Sequence, residues 1–88
     1  MIKVTSITQK NQSLVNKAVN WLNKHDAYNT QRDFISDRLE CDEEDSKDWR
    51  QINNKCEVSF DKYLNYLEEL PKREQNNIEK IANLTYNN

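Results

Sequence analysis

Apolar residues recur along the chain at two different periods, and the change of period divides it. Over Ile2-Lys3-Val4-Thr5 apolar and polar positions alternate, the two-residue period of a strand, in residue types that favour extended geometry. From Leu14 the period becomes helical. Leu14, Val15, Ala18, Val19, Trp21, Leu22 and His25 cover one broad face of a helix over roughly 11–24, with Asn16, Lys17, Asn20, Asn23 and Lys24 mostly opposite. Residues 25–29 interrupt this pattern, and Asp26 or Asn29 is expected to supply the turn. A second helix then starts at the cap-type pair Asn29-Thr30, with Asp33 three positions after Thr30 as an approximate capping box. Phe34, Ile35 and Leu39 give it an apolar face, and it runs to about residue 43.

Beyond it, Trp49, Ile52, Cys56, Phe60, Tyr63, Leu67 and Leu70 advance in steps of three and four. One unbroken helix fits these steps. So does a break at Glu57-Val58-Ser59, with Ser59 capping a helix from Phe60. Pro71 ends the segment, because the residue before a proline is pushed out of helical geometry, and it suits the start of another helix. Ile78, Ile81 and Ala82 give that last helix a face too thin to fold alone, and residues 85–88 are expected to fray.

Composition turns this pattern into a fold-class expectation: mainly α with one N-terminal β-strand. The chain has 88 residues, no Gly and one Pro, which disfavours a turn-rich β fold. Thirteen asparagines compensate in part, since Asn tolerates the left-handed conformation that closes a helix. Only 35% of residues are hydrophobic, 32% are charged, and the mean hydropathy is −1.12, so a lone copy has a lean core and dimerisation would supplement it. The lone strand points the same way. Its backbone groups must fray into solvent or pair with a second copy. Ile7 breaks its alternation, having opposite parity to Ile2 and Val4.

Charge is uneven. Residues 1–40 hold six Lys or Arg against four acids, whereas residues 41–88 hold seven against eleven, within an overall net charge of −2. This points to two jobs, one tolerant of phosphate and one not. Candidate chemistry is sparse. Cys41, Cys56 and the single His25 are too few for a zinc site. The run Asp42-Glu43-Glu44-Asp45 with Asp48 lacks the Gly and alternating ligands of a calcium loop. His25 reads as a helix-end core or capping residue. No nucleophile has a base beside it, so no catalytic residue, metal or cofactor is expected. Nothing resembles a leader peptide or a membrane span, and a cytoplasmic protein with two reduced thiols is the expectation.

Strand, helix, turn and capped helix within forty residues is the order of a ribbon-helix-helix unit. Thr5-Ser6-Ile7-Thr8 resembles the strand of ParD- and CopG-type proteins, and Tyr28-Asn29-Thr30 followed by Asp33-Phe34-Ile35 and Leu39 is similar to their second helix. Ser59-Phe60-Asp61 through Tyr63, Leu67 and Pro71, then Ile78-Glu79-Lys80-Ile81, resembles the toxin-binding tail of antitoxins paired with GNAT acetyltransferase toxins. The resemblance implies a homodimer whose strands form a ribbon in the major groove of operator DNA. It places Ser6 and Thr8, with Val4, toward DNA and Ile7 inward. The alternation of Ile2 and Val4 instead puts Lys3 and Thr5 outward, so both sets stand as candidates. Backbone N–H groups of Asn29, Thr30 and Gln31 would hold a phosphate at a free helix start.

Two readings result. The first is a dimeric antitoxin with a DNA-binding unit over 1–45 and a helical, acidic toxin-binding segment over 46–88. Trp49, Phe60, Tyr63, Leu67, Leu70, Ile78 and Ile81 would contact the toxin, a GNAT acetyltransferase-like protein first and a ParE-like gyrase poison second. The alternative is a small helical inhibitor of phage or plasmid type that binds one protein target and no DNA; the acidic C-terminal half and scarce bases favour it.

Overall fold

A computed structural model describes residues 1–38 and 46–86 of the chain. Leu39, Cys41 and the acidic run at 42–45 lie outside the described residues. An extended segment, residues 1–8, leads through a single 3-10 turn at Gln9–Asn11 into three helices: α1 Gln12–Ser36, α2 Lys47–Glu68 and α3 Lys72–Tyr86. Helices α1 and α2 form a long antiparallel hairpin, and α3 folds back onto the end where α1 begins and α2 finishes. One apolar core joins Ile2 and Val4 to Val15, Ala18, Val19 and Leu22 of α1, Tyr63, Leu67 and Leu70 of the α2 end, and Ile78 of α3.

The ribbon-helix-helix expectation is overturned: no β-strand occurs among the described residues, and the two expected N-terminal helices are one. Helix α1 runs unbroken through 25–29. With neither Gly nor Pro there, cap-type side chains do not stop a helix, and Thr30 Oγ donates back to the Asp26 carbonyl at 3.1 Å. Asn29, Thr30 and Gln31 are therefore mid-helix residues, their N–H groups inside the helical ladder, and the expected phosphate clamp does not exist. Tertiary packing supplies the reason. Val15, Ala18, Leu22, His25, Asn29, Arg32 and Ser36 advance by three and four throughout. The row facing α2 changes from apolar to polar at His25 without changing its period.

Residues 1–8 are extended but pair with no strand, because side chains take the place of a neighbouring strand. Asn23 grips Ile2 on both backbone groups: the Ile2 N–H donates to Asn23 Oδ1 at 2.9 Å, and Asn23 Nδ2 donates to the Ile2 carbonyl at 3.0 Å. Gln12 repeats this, accepting from the Ser6 N–H at 2.8 Å and donating to the Val4 carbonyl at 3.0 Å. From the α3 side, Asn77 Nδ2 donates to the Thr5 carbonyl at 3.3 Å. Glu74 accepts from the N–H groups of Ile7 at 2.6 Å and Thr8 at 3.4 Å. Side-chain alternation survives: Ile2 and Val4 are buried, Lys3 and Thr5 exposed. Ile7 is half-exposed, at 50%, and not inward as the resemblance implied.

Of the two options for 47–70 the unbroken helix is the one formed. Ser46, extended at φ −83° and ψ 119°, caps α2 by accepting from the Trp49 N–H at 3.2 Å. Ser59 is buried within it and donates its hydroxyl to the Cys56 carbonyl at 3.0 Å, so it needs no helix start. Pro71 separates α2 from α3 as expected. Gln75 closes that corner, its N–H bonded to the Pro71 carbonyl at 3.1 Å and its side chain to the Leu70 carbonyl at 2.8 Å.

Candidate binding face

Each flank of the α1–α2 hairpin has its own chemistry. On one flank α1 presents Lys17, Trp21, Lys24 and Tyr28, spaced four, three and four, and so aligned along one side of the helix. Helix α2 runs antiparallel and brings Tyr66, Lys62 and Lys55 alongside in reverse order. The Lys24 ammonium lies 4.3 Å from the Trp21 ring centre, and Lys62 reaches the same ring at 5.6 Å. Lys17 stands 6.0 Å from Tyr66 and Lys55 5.9 Å from Tyr28. Four cation–aromatic contacts thus fall along this flank, with Lys24–Trp21 the shortest of them; a fifth, Arg38 over the Phe34 ring at 4.0 Å, lies at the far end of α1. The row is about 16 Å long at 1.5 Å per residue. The lysines are exposed and the three rings half-buried, with Trp21 and Tyr66 resting on the apolar core. A shallow cavity of about 250 Å³ opens at one end of the row between Lys62, Asn65, Tyr66 and Glu69.

Asp26, Asp33 and Glu57 fall on other stripes of their helices. Asp26 is close enough to raise the Tyr86 hydroxyl above its ordinary pKa, second to burial, and Asp33 and Glu57 act in the same sense on Cys56.

Between the flanks runs the polar half of the α1–α2 seam. His25 Nδ1 lies 2.9 Å from the Cys56 carbonyl and donates to it, and Nε2 lies 3.3 Å from Asn29 Nδ2. Arg32 bridges the helices, giving Nη1 to Asn53 Oδ1 at 2.7 Å and Nη2 to Asn29 Oδ1 at 2.8 Å. Trp49 Nε1 donates to Ser36 Oγ at 2.9 Å. Among the described residues no buried side-chain nitrogen or oxygen lacks a partner.

No catalytic arrangement emerges from this seam. His25 spends both ring nitrogens on fixed partners. Burial pushes the Cys56 thiol up, outweighing the lowering by Arg32, so a neutral thiol rather than a nucleophilic thiolate sits there. In a Cys41→Ser background, native protein is therefore expected to react with iodoacetamide at Cys56 at least tenfold more slowly than denatured protein; equal rates would show the thiol to be open. Among the described residues no group of three His, Cys, Asp or Glu could hold a metal, and no helix is long and apolar enough to cross a membrane.

The residues singled out from sequence are scattered differently. Lys3, Thr5, Ser6 and Thr8 lie on the N-terminal segment, and Asn29, Thr30 and Gln31 lie further along α1, so the two sets do not form one surface. Tyr63, Leu67, Leu70 and Ile78 are buried in the chain's own core, Ile81 packs against it, and Trp49 is tied to Ser36. Phe60 stays 39% exposed, its ring 4.9 Å from His25. No protein-family profile, curated protein or solved structure matches the chain. The basic and aromatic flank is hidden in the sequence for two reasons: the helical pattern puts Trp21 on the apolar face with Lys17 and Lys24 mostly opposite, and a turn at 25–29 detaches Tyr28 from them.

Proposed function

We propose that the chain is a non-catalytic helical interaction protein that binds one protein partner, through an acidic amphipathic helix laid against the flank of Lys17, Trp21, Lys24, Tyr28, Lys55, Lys62 and Tyr66. The observation that carries this reading is the set of four lysine–aromatic contacts along that flank. Half-buried rings offer apolar area at low entropic cost, and flanking ammonium groups complement carboxylates. A row of about 16 Å matches three turns of helix. The overall charge of −2 weakens long-range attraction to a polyanion, whereas a short acidic helix needs only the local row. Toxin neutralisation falls within this class, with the flank rather than the buried α2–α3 residues as the contact. A reducing cytoplasm, in which Cys56 stays a thiol, suits the reading.

Titration of the full chain with a 20-residue amphipathic peptide, glutamates on one face and leucines on the other, tests it. The Trp21 indole and the Tyr28 and Tyr66 ring resonances are expected to shift, with affinity falling at least tenfold in Lys24→Glu/Lys62→Glu and weakening with salt. Absence of shifts, or preferential binding of a single-stranded oligonucleotide, would overturn the proposal.

A further inference from the structure

The contacts holding residues 1–8 are those a binding site makes to a peptide ligand. The groove between α1 and α3 reads main chain: Asn23 and Gln12 each engage one N–H and one C=O, Asn77 engages a carbonyl, and Glu74 receives two N–H groups. Apart from those backbone groups, only the Ile2 and Val4 side chains are taken into the core; Met1, Lys3, Thr5, Ile7 and Thr8 are exposed. The Tyr86 hydroxyl, beside the Ile2 backbone, donates to Asn23 Oδ1 at 2.5 Å, and Gln12 Nε2 donates to Asn16 Oδ1 at 2.8 Å. Glu74 is itself 2% exposed, so its carboxylate is aimed into the groove rather than at solvent. Beside the segment a furrow of about 480 Å³ stays open between residues 1–5 and the α1 residues Gln12, Asn16, Val19, Asn20 and Asn23. Recognition of this kind asks little of sequence: an extended backbone and two aliphatic side chains two residues apart.

We infer that the α1–α3 groove is an extended-peptide site whose resident ligand is the chain's own N-terminal segment, and that it accepts in trans a partner protein's extended segment with aliphatic residues at alternate positions. The mode is that of strand addition, with side-chain amides standing in for the sheet edge. The resident segment is joined through a short tether, which sets its effective concentration in the millimolar range, and an incoming peptide must compete with it. This site is separate from the lysine–aromatic flank, and it stands or falls independently.

The test uses the full chain carrying Ile2→Asp/Val4→Asp, which removes both anchors and frees the groove. A dye-labelled synthetic peptide of residues 1–8 is followed by fluorescence anisotropy, together with the side-chain amide resonances of Gln12, Asn23 and Asn77. The peptide is expected to bind this variant at least tenfold more tightly than the wild-type chain and to shift those amides. Adding Glu74→Ala should weaken it at least tenfold, and a peptide with Ile and Val moved by one position should not bind. Equal binding by the shifted peptide, or none by the original, would overturn the inference. Where the variant does not fold, the wild-type chain decides: at 10 mM (about tenfold above a millimolar effective concentration) the unlabelled peptide should move the Ile7 and Thr8 amide peaks toward released positions. Unmoved peaks would overturn the inference equally. A response only to peptide carried by a second copy of the chain would restrict the site to self-exchange and refute the partner claim.

Discussion

Replacing Ile78 by alanine is expected to destabilise the protein by about 2–5 kcal/mol, the cost of a buried large-to-small change that leaves a cavity. Ile78 is fully buried, at 0% exposure, in the cluster where all three helices and the N-terminal segment meet. Domains of this kind have roughly 5–15 kcal/mol in total, and a chain with 35% hydrophobic residues has little surplus. A substantial share of molecules would therefore unfold under mild conditions. Urea unfolding is the measurement: the midpoint should fall while the slope stays constant. Phe34→Ala is the matching control, because Phe34 is 56% exposed and, with only the Arg38 guanidinium stacked on its ring, its loss should cost no more than about 1 kcal/mol. Similar midpoints for the two variants would mean that α3 does not dock on the hairpin as described.

Acid should release the N-terminal segment through Glu74. Burial alone would raise the pKa of this carboxyl. The N–H of Ile7, the Asn11 side chain, the N–H of Thr8 and nearby Arg73 together outweigh burial and hold it below the ordinary carboxylate value. A native pKa below the unfolded one means that the unfolded chain takes up the proton first. The stabilisation is then fully present above the unfolded pKa and disappears as pH falls through the native one. Wild-type and Glu74→Gln proteins, melted across a pH series, should differ in favour of wild type at neutral pH and converge in acid, where Glu74 becomes as neutral as the glutamine. Melting curves that stay parallel at every pH would assign the latch to other residues.

How much of this was legible in the sequence depended on whether a residue's partner lay within its own element. The three-and-four steps from Ile52 to Leu70 and the stop at Pro71 follow from spacing alone, and the structure reproduces them. Spacing left open both the break at 57–59 and which face of residues 2–8 turns inward; the structure forms one helix and buries Ile2 and Val4. The run from His25 to Ser36 does not follow from spacing, because its inward row is polar. A polar residue facing inward looks like a break until its partner is known, and the partners Asn53, Cys56 and Trp49 belong to another helix. For the same reason Asn23 reads as a surface amide, although with Gln12 and Asn77 it forms the groove that holds the N-terminal segment. The lysine–aromatic flank was hidden at one remove: a turn placed at 25–29 separates Tyr28 from Trp21, and a continuous helix aligns them.

The change from apolar to polar along the α1–α2 seam also settles axial register. Apolar side chains tolerate sliding, since one aliphatic contact replaces another at similar energy. Arg32 bonded at once to Asn29 and Asn53, and His25 bonded to the Cys56 carbonyl, do not. Displacing α2 by seven residues in the direction that puts Phe60 in place of Asn53 would set Arg32 against a side chain with no hydrogen-bond acceptor. The guanidinium would then be left with one partner where it now has two, a heavy penalty for a half-buried charge. The apolar end supplies cohesion, and the polar end admits a single alignment of the two long helices. That alignment is what brings lysines 17, 55 and 62 beside Tyr66, Tyr28 and Trp21.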